Sequence, residues 1–237
     1  MSTVELPHVV DFERVVFFTG AGMSAASGVP TYRGKGGIWK EYDYTSYACQ
    51  TAFDRDPAAV WEFHNYRRHL VAACAPNEGH HLITRCEAAL ADVTVVTQNI
   101  DGLHQLAGSE RVLELHGTLW GVRCDATGER RLSRDVPFTA RRPDGQWWRP
   151  DIVWFGDSLR DDVVDAAMAS ISRSDLFVSI GTSAVVFPAA RMPFYARQAG
   201  ATLVEINPEE TPVSHLYDHC AREPATSALT RMCAGVD

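Results

Sequence analysis

Apolar residues in this chain gather in short runs rather than long stripes. Val15-Val16-Phe17-Phe18, Val93-Thr94-Val95-Val96, Leu176-Phe177-Val178 and Leu203-Val204-Glu205-Ile206 each have about the length of a strand, and each leads into glycine, asparagine or another polar turn residue. Near-continuous apolar runs of this kind suit strands covered on both faces. They predict strands over 14–18, 93–97, 175–180 and 202–206. Helix-like stretches lie between them, and strand–helix alternation predicts an α/β fold with a parallel sheet and helices on both faces. Two stretches break the alternation. Residues 35–75 form a helical insert. Residues 120–148 carry Arg123, Arg130, Arg131, Arg134, Arg141, Arg142 and the pair Trp147-Trp148 among turn residues, and read as a small irregular insert. The main body is then 1–34, 76–119 and 149–237.

The first insert contains a predicted helix over 58–73. At 100° per residue, Val60, Phe63, His64, Arg67, Leu70 and Val71 share an arc of about 120°, with Glu62, Asn65, Arg68 and His69 on the opposite side. His64 and Arg67 therefore stand side by side on the apolar face. The plain structural explanation is an arginine that snorkels to solvent beside a histidine packed at the rim.

Composition narrows the function. A chain of 237 residues can bury one large domain, or one domain and a small insert. The net charge of −8 argues against general nucleic-acid binding. Arg130-Arg131 and Arg141-Arg142 are short enough to read as solvated surface. No apolar run reaches membrane-spanning length, and Met1 to Pro7 is too short for a transit peptide. A cytoplasmic monomer without membrane contact is the expectation. Cys49, Cys74, Cys86, Cys124, Cys220 and Cys233 form no C-x-x-C pair, which fits free thiols in a reducing compartment.

The candidate chemistry sits at strand ends, where open α/β sheets bind ligands. Val15–Phe18 runs through one threonine into Gly20-Ala21-Gly22-Met23-Ser24, and Pro30-Thr31-Tyr32-Arg33-Gly34 follows where a dinucleotide-binding dehydrogenase would continue its first helix. The second strand closes on Thr97-Gln98-Asn99-Ile100-Asp101-Gly102-Leu103-His104. Leu113-Glu114-Leu115-His116-Gly117, Arg149-Pro150-Asp151-Ile152-Val153-Trp154-Phe155-Gly156, Ser179-Ile180-Gly181-Thr182-Ser183 and Val204-Glu205-Ile206-Asn207 follow in order.

In this order and spacing the motifs resemble the sirtuin family of NAD-dependent protein deacylases, over nearly the whole chain. The resemblance implies a Rossmann-like NAD-binding domain for the main body and NAD as cofactor. In sirtuins the nicotinamide–ribose bond breaks, the acyl oxygen of an acyl-lysine attacks the ribose carbon, and the acyl group ends on ADP-ribose. His116 then resembles the general base, since imidazole titrates near neutrality. Asp101 and the backbone at Ile100 resemble the nicotinamide contacts, although an Asp-Gly turn after a strand is also a common structural feature. Asn99 resembles the residue that orders ribose and water, and Gln98 is expected on ribose. Gly20, Ala21 and Gly22 are expected at the pyrophosphate. Thr31, Tyr32 and Arg33 belong to the cofactor loop, with Tyr32 in the place of the usual phenylalanine. Gly181, Thr182 and Ser183 resemble a second phosphate and ribose contact, Asn207 an adenosine-ribose contact, and Ala225 is expected to border the adenine. Val153, Phe155 and Gly156 resemble the strand edge along which an acylated peptide pairs.

Two features depart from the family. Sirtuins usually carry two C-x-x-C pairs between the catalytic histidine and the Trp-Phe-Gly segment. Here that interval holds only Cys124, with Thr127 in its partner's place, and one thiol cannot make a four-ligand zinc site. The expectation is a zinc-free insert packed on Trp120, Trp147 and Trp148. The second departure concerns the acyl pocket. Sirtuins that remove succinyl or malonyl groups carry Tyr-x-x-Arg on this helix and a small residue in the pocket wall. Arg67 matches the arginine, Ala48 the small residue, and His64 replaces the tyrosine. A guanidinium fork pairs a carboxylate bidentately, and a histidine can donate one hydrogen bond, or add a second cation if protonated. The leading expectation is an acyl-lysine deacylase favouring acidic acyl groups. An ADP-ribosyltransferase or NAD glycohydrolase on the same scaffold, and a non-catalytic NAD sensor, are the competing readings. A dehydrogenase lacks its acidic residue about 20 positions after the glycines.

Overall fold

The computed structural model describes residues 4–31 and 44–236. In chain order its elements are β1 (Arg14–Thr19), α1 (Tyr44–Tyr47), α2 (Gln50–Arg55), α3 (Pro57–Ala72), α4 (Glu78–Ala89), β2 (Asp92–Thr97), α5 (Leu103–Ala107), β3 (Val112–Glu114), β4 (Gly117–Arg123), β5 (Arg130–Leu132), β6 (Arg149–Ile152), α6 (Asp161–Ile171), β7 (Leu176–Ile180), α7 (Met192–Gln198), β8 (Thr202–Ile206), β9 (His219–Ala221) and α8 (Ala225–Met232). A 3-10 turn over Ala21–Ser27 follows β1.

Strand alternation builds the larger body. In β1, Val15 and Phe17 face α4 and α8 with Leu82, Ile83, Leu229 and Met232, while Val16 and Phe18 face α6 and α7 with Ala167, Ile171 and Ala196. Both faces are buried, which is why the run is apolar at every position. The six strands pair in parallel in the order β3-β2-β1-β7-β8-β9. The chain lays β2 and β3 on one side of β1 and β7, β8 and β9 on the other. The order thus reverses between β1 and β7, and at such a switch the loops leaving the carboxyl ends of two neighbouring strands diverge and leave a crevice. Short strands β3 and β9, with three residues each, were not anticipated from the pattern.

The second body corrects the sequence reading in two ways. The 120–148 insert is a three-stranded antiparallel sheet, β5-β4-β6, whose strands begin at Gly117 and end at Ile152. It is also not separate from the helical insert. Trp61, Val60 and Val71 of α3 and Phe53 of α2 share one core with Leu119, Trp120, Val122, Phe138 and Trp148 of the small sheet.

Helix α3 therefore has two buried sides, and a one-stripe reading assigns its residues wrongly. Arg68, placed outward by the arc, is fully buried. Its Nη1 donates to Leu119 O at 2.7 Å, its Nε to Asp135 O at 3.2 Å, and its Nη2 to Ser133 O. Asn65, also placed outward, donates to Phe138 O at 3.1 Å and accepts from Phe138 N at 2.8 Å. Asp56 caps the helix by accepting from Ala59 N at 3.0 Å, with Pro57 in the first turn.

Arginines and rings alternate through this body. Arg134 lies over Trp120, Arg68 between Trp120 and Phe138, Arg131 between Phe138 and Trp148, and Arg142 over Trp148, at 4.3–5.3 Å from the ring centroids. Arg142 is anchored by Glu129 at 2.8 Å and Asp144 at 3.0 Å. The arginine pairs read as solvated surface from the sequence are thus partly built into this stack. Of the thiols that the resemblance implies for a zinc site, this interval holds only Cys124. Cys124 closes a turn through Thr127 N and Gly128 N, and no cluster of three His, Cys, Asp or Glu side chains that could hold a metal occurs among the described residues.

Two outcomes test this account of the small body. Removing the Arg68 fork strands three carbonyls and a buried volume, so Arg68→Leu should cost about 3 kcal/mol, a fall of roughly 10 °C in Tm for a chain of this size. A loss below about 1 kcal/mol would show that the fork does not hold the two inserts together. Elemental analysis should find no stoichiometric zinc, and a chelator should leave Tm unchanged; one tightly bound zinc per chain would contradict the cation–aromatic account.

Candidate active site

The glycines after β1 and β7 bring two loops into backbone contact. A Cβ on Gly22 would lie 2.6 Å from Gly181 Cα, and one on Gly20 2.8 Å from Gly181 O. Gly181 also has a φ of +61°, which favours glycine. Gly20 N donates to Ile180 O at 2.9 Å and Gly22 N to Gly181 O at 3.0 Å. These N–H groups were expected to be bare for the pyrophosphate. They are engaged in the loop–loop contact, and the glycines serve close approach of two backbones.

The loop after β2 hangs on this contact. Asn99 Nδ2 donates to Gly20 O at 3.0 Å and to Ser24 Oγ at 3.2 Å. Ser24 Oγ donates to Asp101 Oδ2 at 2.7 Å, and Asp101 Oδ1 accepts from Leu103 N at 2.9 Å. Asn99 and Asp101 are both buried. Burial raises the Asp101 pKa, opposed by the Leu103 N–H, the Ser24 hydroxyl and the Arg67 charge. Beneath them Thr19 Oγ1 donates to Thr97 Oγ1 at 2.8 Å and lies 3.0 Å from His104 Nε2, while Thr97 Oγ1 accepts from Asn99 N at 3.0 Å.

His116 follows β3 on the same rim. Its Nδ1 lies 3.0 Å from Gln98 O. A carbonyl can only accept, so Nδ1 carries the proton and Nε2 keeps its lone pair. Burial lowers the pKa of His116, opposed by the Gln98 carbonyl. The ring is thus a neutral, oriented base at pH 7.

On the other side of the crevice, α3 presents His64 and Arg67, both buried, as the arc predicts. The His64 ring is enclosed by Trp61, Phe63 and Trp154, stacking on Trp154 at 5.9 Å between centroids. Arg149 covers Trp154 at 3.8 Å and is tied to Asp157 at 2.6 Å. Burial, then the Arg67 charge, push the His64 pKa down to about 3. In the ligand-free protein His64 is therefore neutral, and the second cation considered from the sequence is absent.

These groups line one cavity of about 750 Å3, within the range of small-molecule and cofactor sites. Gly20, Ala21, Gly22 and Thr31 border it on the β1 side, Gln98, Asn99, Ile100 and His116 on the β2–β3 side, and Gly181, Thr182, Ser183, Asn207 and Ala225 on the β7–β8 side. Ala48, His64, Arg67, Val153, Phe155 and Gly156 border it from the second body. Asp101 sits behind this lining, held by Ser24. Tyr32 and Arg33 lie outside the described residues. One expectation is revised: β6 ends at Ile152, and the next three N–H groups are all used internally. Val153 N donates to His116 O at 2.9 Å, Trp154 N to Asp157 Oδ2 at 3.1 Å and Phe155 N to Ala48 O at 3.0 Å. Residues 153–156 are a cavity wall that turns at Gly156, not a strand with a free N–H edge.

The Sir2 family profile matches residues 20–188, most of the chain and most of this cavity. The chain belongs to the Sir2, or sirtuin, family. It is 42% identical over 222 residues to an "NAD-dependent protein deacylase" of Aquifex aeolicus, covering 92% of this chain and 93% of that protein. It is 47% identical over 209 residues to "NAD-dependent protein deacylase 1" of Caldanaerobacter subterraneus, covering 85% and 86%. Among solved structures, a mutant Sir2 homologue bound to ADP-ribose superposes with a TM-score of 0.90 at 37% identity, covering 96% of this chain and 93% of that one. A Sir2 complex with a deacetylated p53 peptide and 3′-O-acetyl ADP-ribose gives 0.84 at 30%, covering 94% and 93%.

Within this sirtuin, sequence reasoning missed three supports. Ser24 binds both Asn99 and Asp101, the Thr19–Thr97–His104 group lies beneath them, and Arg149–Asp157 fixes Trp154. Ser24 stands in the glycine-rich run itself, and a hydroxyl four residues after a strand-end glycine was the available signal.

Nε2 of His116 can act as a base only while neutral, and the pKa of the ring is lowered from 6.5. Activity should therefore hold down to about pH 6.5 and fall in acid below it. His116→Ala should lower kcat by about 10²–10⁴-fold with NAD binding retained. Undiminished deacylation by that variant would remove His116 from the chemistry.

Proposed function

We propose that this sirtuin is an NAD-dependent protein-lysine deacylase that favours acyl groups ending in a carboxylate, of the succinyl and malonyl type. The observation that carries the acyl preference is the placement of Arg67. A guanidinium nine-tenths buried lines the same cavity as the base His116, opposite the Asn99–Asp101 loop. Burying a guanidinium is costly, and a substrate carboxylate would add a bidentate, charge-assisted pair at that position. Ala48, which lines the same cavity, is small and suits a longer acyl chain.

The cavity fits NAD: glycine, threonine and serine at 181–183 and Asn207 offer backbone and hydroxyl groups to a dinucleotide, and Asp101, held in place by Ser24 and Leu103 N, is the partner of the nicotinamide carboxamide in this reading. NAD supplies the electrophilic ribose carbon, nicotinamide leaves, and O-acyl-ADP-ribose is the second product. Asn99, fixed through Gly20 and Ser24, orients the ribose side. His116 Nε2 takes a ribose hydroxyl proton. Its Nδ1 bond to Gln98 O holds the ring in the tautomer this requires. The substrate is an acylated-lysine peptide or protein. The chain's six free thiols support a reducing, cytoplasmic setting as part of this proposal.

Deacylation of matched acetyl- and succinyl-lysine peptides tests the reading. Succinyl-lysine should have the higher kcat/KM. Arg67→Met should lower succinyl turnover by about 10–100-fold, the worth of a charged hydrogen bond, while acetyl turnover changes by no more than about threefold. Equal kcat/KM for the two peptides, unchanged by Arg67→Met, would make Arg67 a structural arginine and overturn the acyl assignment. ADP-ribosylated protein, or free ADP-ribose without peptide, would overturn deacylation itself.

A further inference from the structure

The sequence of α3 puts a histidine, not a second fixed polar group, one turn before Arg67. The structure leaves that histidine short of partners. His64 is 1% exposed, lines the cavity, and neither ring nitrogen has a hydrogen-bonding partner among the described residues. Buried polar atoms in folded proteins are nearly always satisfied, and each exception calls for a reason. Packing does not supply one: Trp61, Phe63 and Trp154 surround the ring with aromatic surface that a phenylalanine would fill as well.

The charges around the ring are uneven. Arg67 and Arg68 stand on its own helix, and Arg149 lies behind Trp154 with its partner Asp157. Tyr47 of α1 is a further titratable neighbour among the described residues. Its backbone opposes the lowered pKa, without a hydrogen bond of normal geometry. Among the described residues no carboxylate bonds to the ring. A ligand that enters between His64 and Arg67 thus meets one fixed cation and one neutral ring with an unused donor and an unused acceptor.

We propose that His64 selects the acyl group by proton uptake: its unpaired nitrogens are kept for the far end of the acyl chain, and a carboxylate there draws a proton onto the ring from solvent. The inference rests on the acidic-acyl reading of Arg67 and adds a role for His64. Without ligand, burial and Arg67 hold the ring near a pKa of about 3. A carboxylate at hydrogen-bonding distance, at an effective dielectric of about 20, raises a pKa by about three units. The loaded ring then titrates well above the free one. A group whose pKa rises on binding makes binding tighten as pH falls through the raised value. Acidic acyl chains should therefore bind more tightly in acid, and acetyl chains, which bring no charge, should not.

Equilibrium binding of succinyl- and acetyl-lysine peptides without NAD, from pH 8 to 5.5, avoids turnover and the titration of His116 as a base. We expect the succinyl Kd to fall by about fivefold across that range and the acetyl Kd to stay flat. Calorimetry in two buffers of different ionisation enthalpy should show proton uptake with succinyl alone. His64→Gln, which keeps a donor and cannot titrate, should hold the succinyl preference that Arg67 gives at pH 8 but lose its rise towards pH 5.5. In the unaltered protein, imidazole NMR shifts of His64 should stay in the neutral form throughout, and move to the protonated form at pH 5.5 only with succinyl peptide. A succinyl preference with flat pH dependence, or the same trend in His64→Gln, would overturn the role of His64 alone. No succinyl preference at any pH would overturn the acidic-acyl reading and this inference together.

Discussion

The contact on which the active site depends is between two stretches of bare backbone. Gly22 and Gly181 meet where no side chain fits, at the ends of the two central strands of the sheet. Parallel pairing of β1 with β7 brings the loops to the same edge, and two hydrogen bonds from Gly20 and Gly22 lock them together. Gly20 O is then available, at a fixed place, to Asn99. Through Asn99 and Ser24 the same contact sets Asp101. A crevice that the topology would supply in any parallel sheet of this order becomes a site with defined polar groups.

The opposite wall has a different logic. Helix α3 stands between the cavity and the small sheet, with His64 and Arg67 turned one way and Asn65 and Arg68 the other. The arginine–aromatic stack of the small body fixes α3 from behind, through the Arg68 fork and the Asn65 clamp on Phe138. His64 and Arg67 are thus held in place by a body in which cation–aromatic contacts run from Trp120 to Trp148. Such contacts are worth about 0.5–2 kcal/mol each, and more when desolvated, so a continuous series can stabilise a small sheet.

Much of this was legible in the chain. The four apolar runs marked the strands to within one or two residues because burial on both faces demands apolar residues at every position. The motifs at their ends named the cavity lining because parallel strands deliver their carboxyl ends to one edge. What escaped has physical reasons. Three-residue strands such as β9 carry too few positions for a period to show. Arg68 was placed in solvent because a single-stripe analysis assumes one partner for a helix, and α3 has two. Gly20 and Gly22 border the cavity, but the engagement of their N–H groups escaped, since sequence cannot reveal that a second loop about 160 residues away meets them. The protonation of His64 depends on three aromatic rings and an arginine converging around it, and spacing along the helix speaks only for the arginine.

The Gly22–Gly181 contact organises the glycine-loop wall of the cavity, so the most direct measurement is NAD affinity in Gly22→Ala, by calorimetry, alongside its thermal unfolding. The added methyl must push against Gly181 backbone. A displacement of about 1 Å at the loop should weaken NAD binding by roughly a hundredfold while the protein still unfolds cooperatively. A folded Gly22→Ala variant that binds NAD as tightly as the unaltered protein would contradict the account.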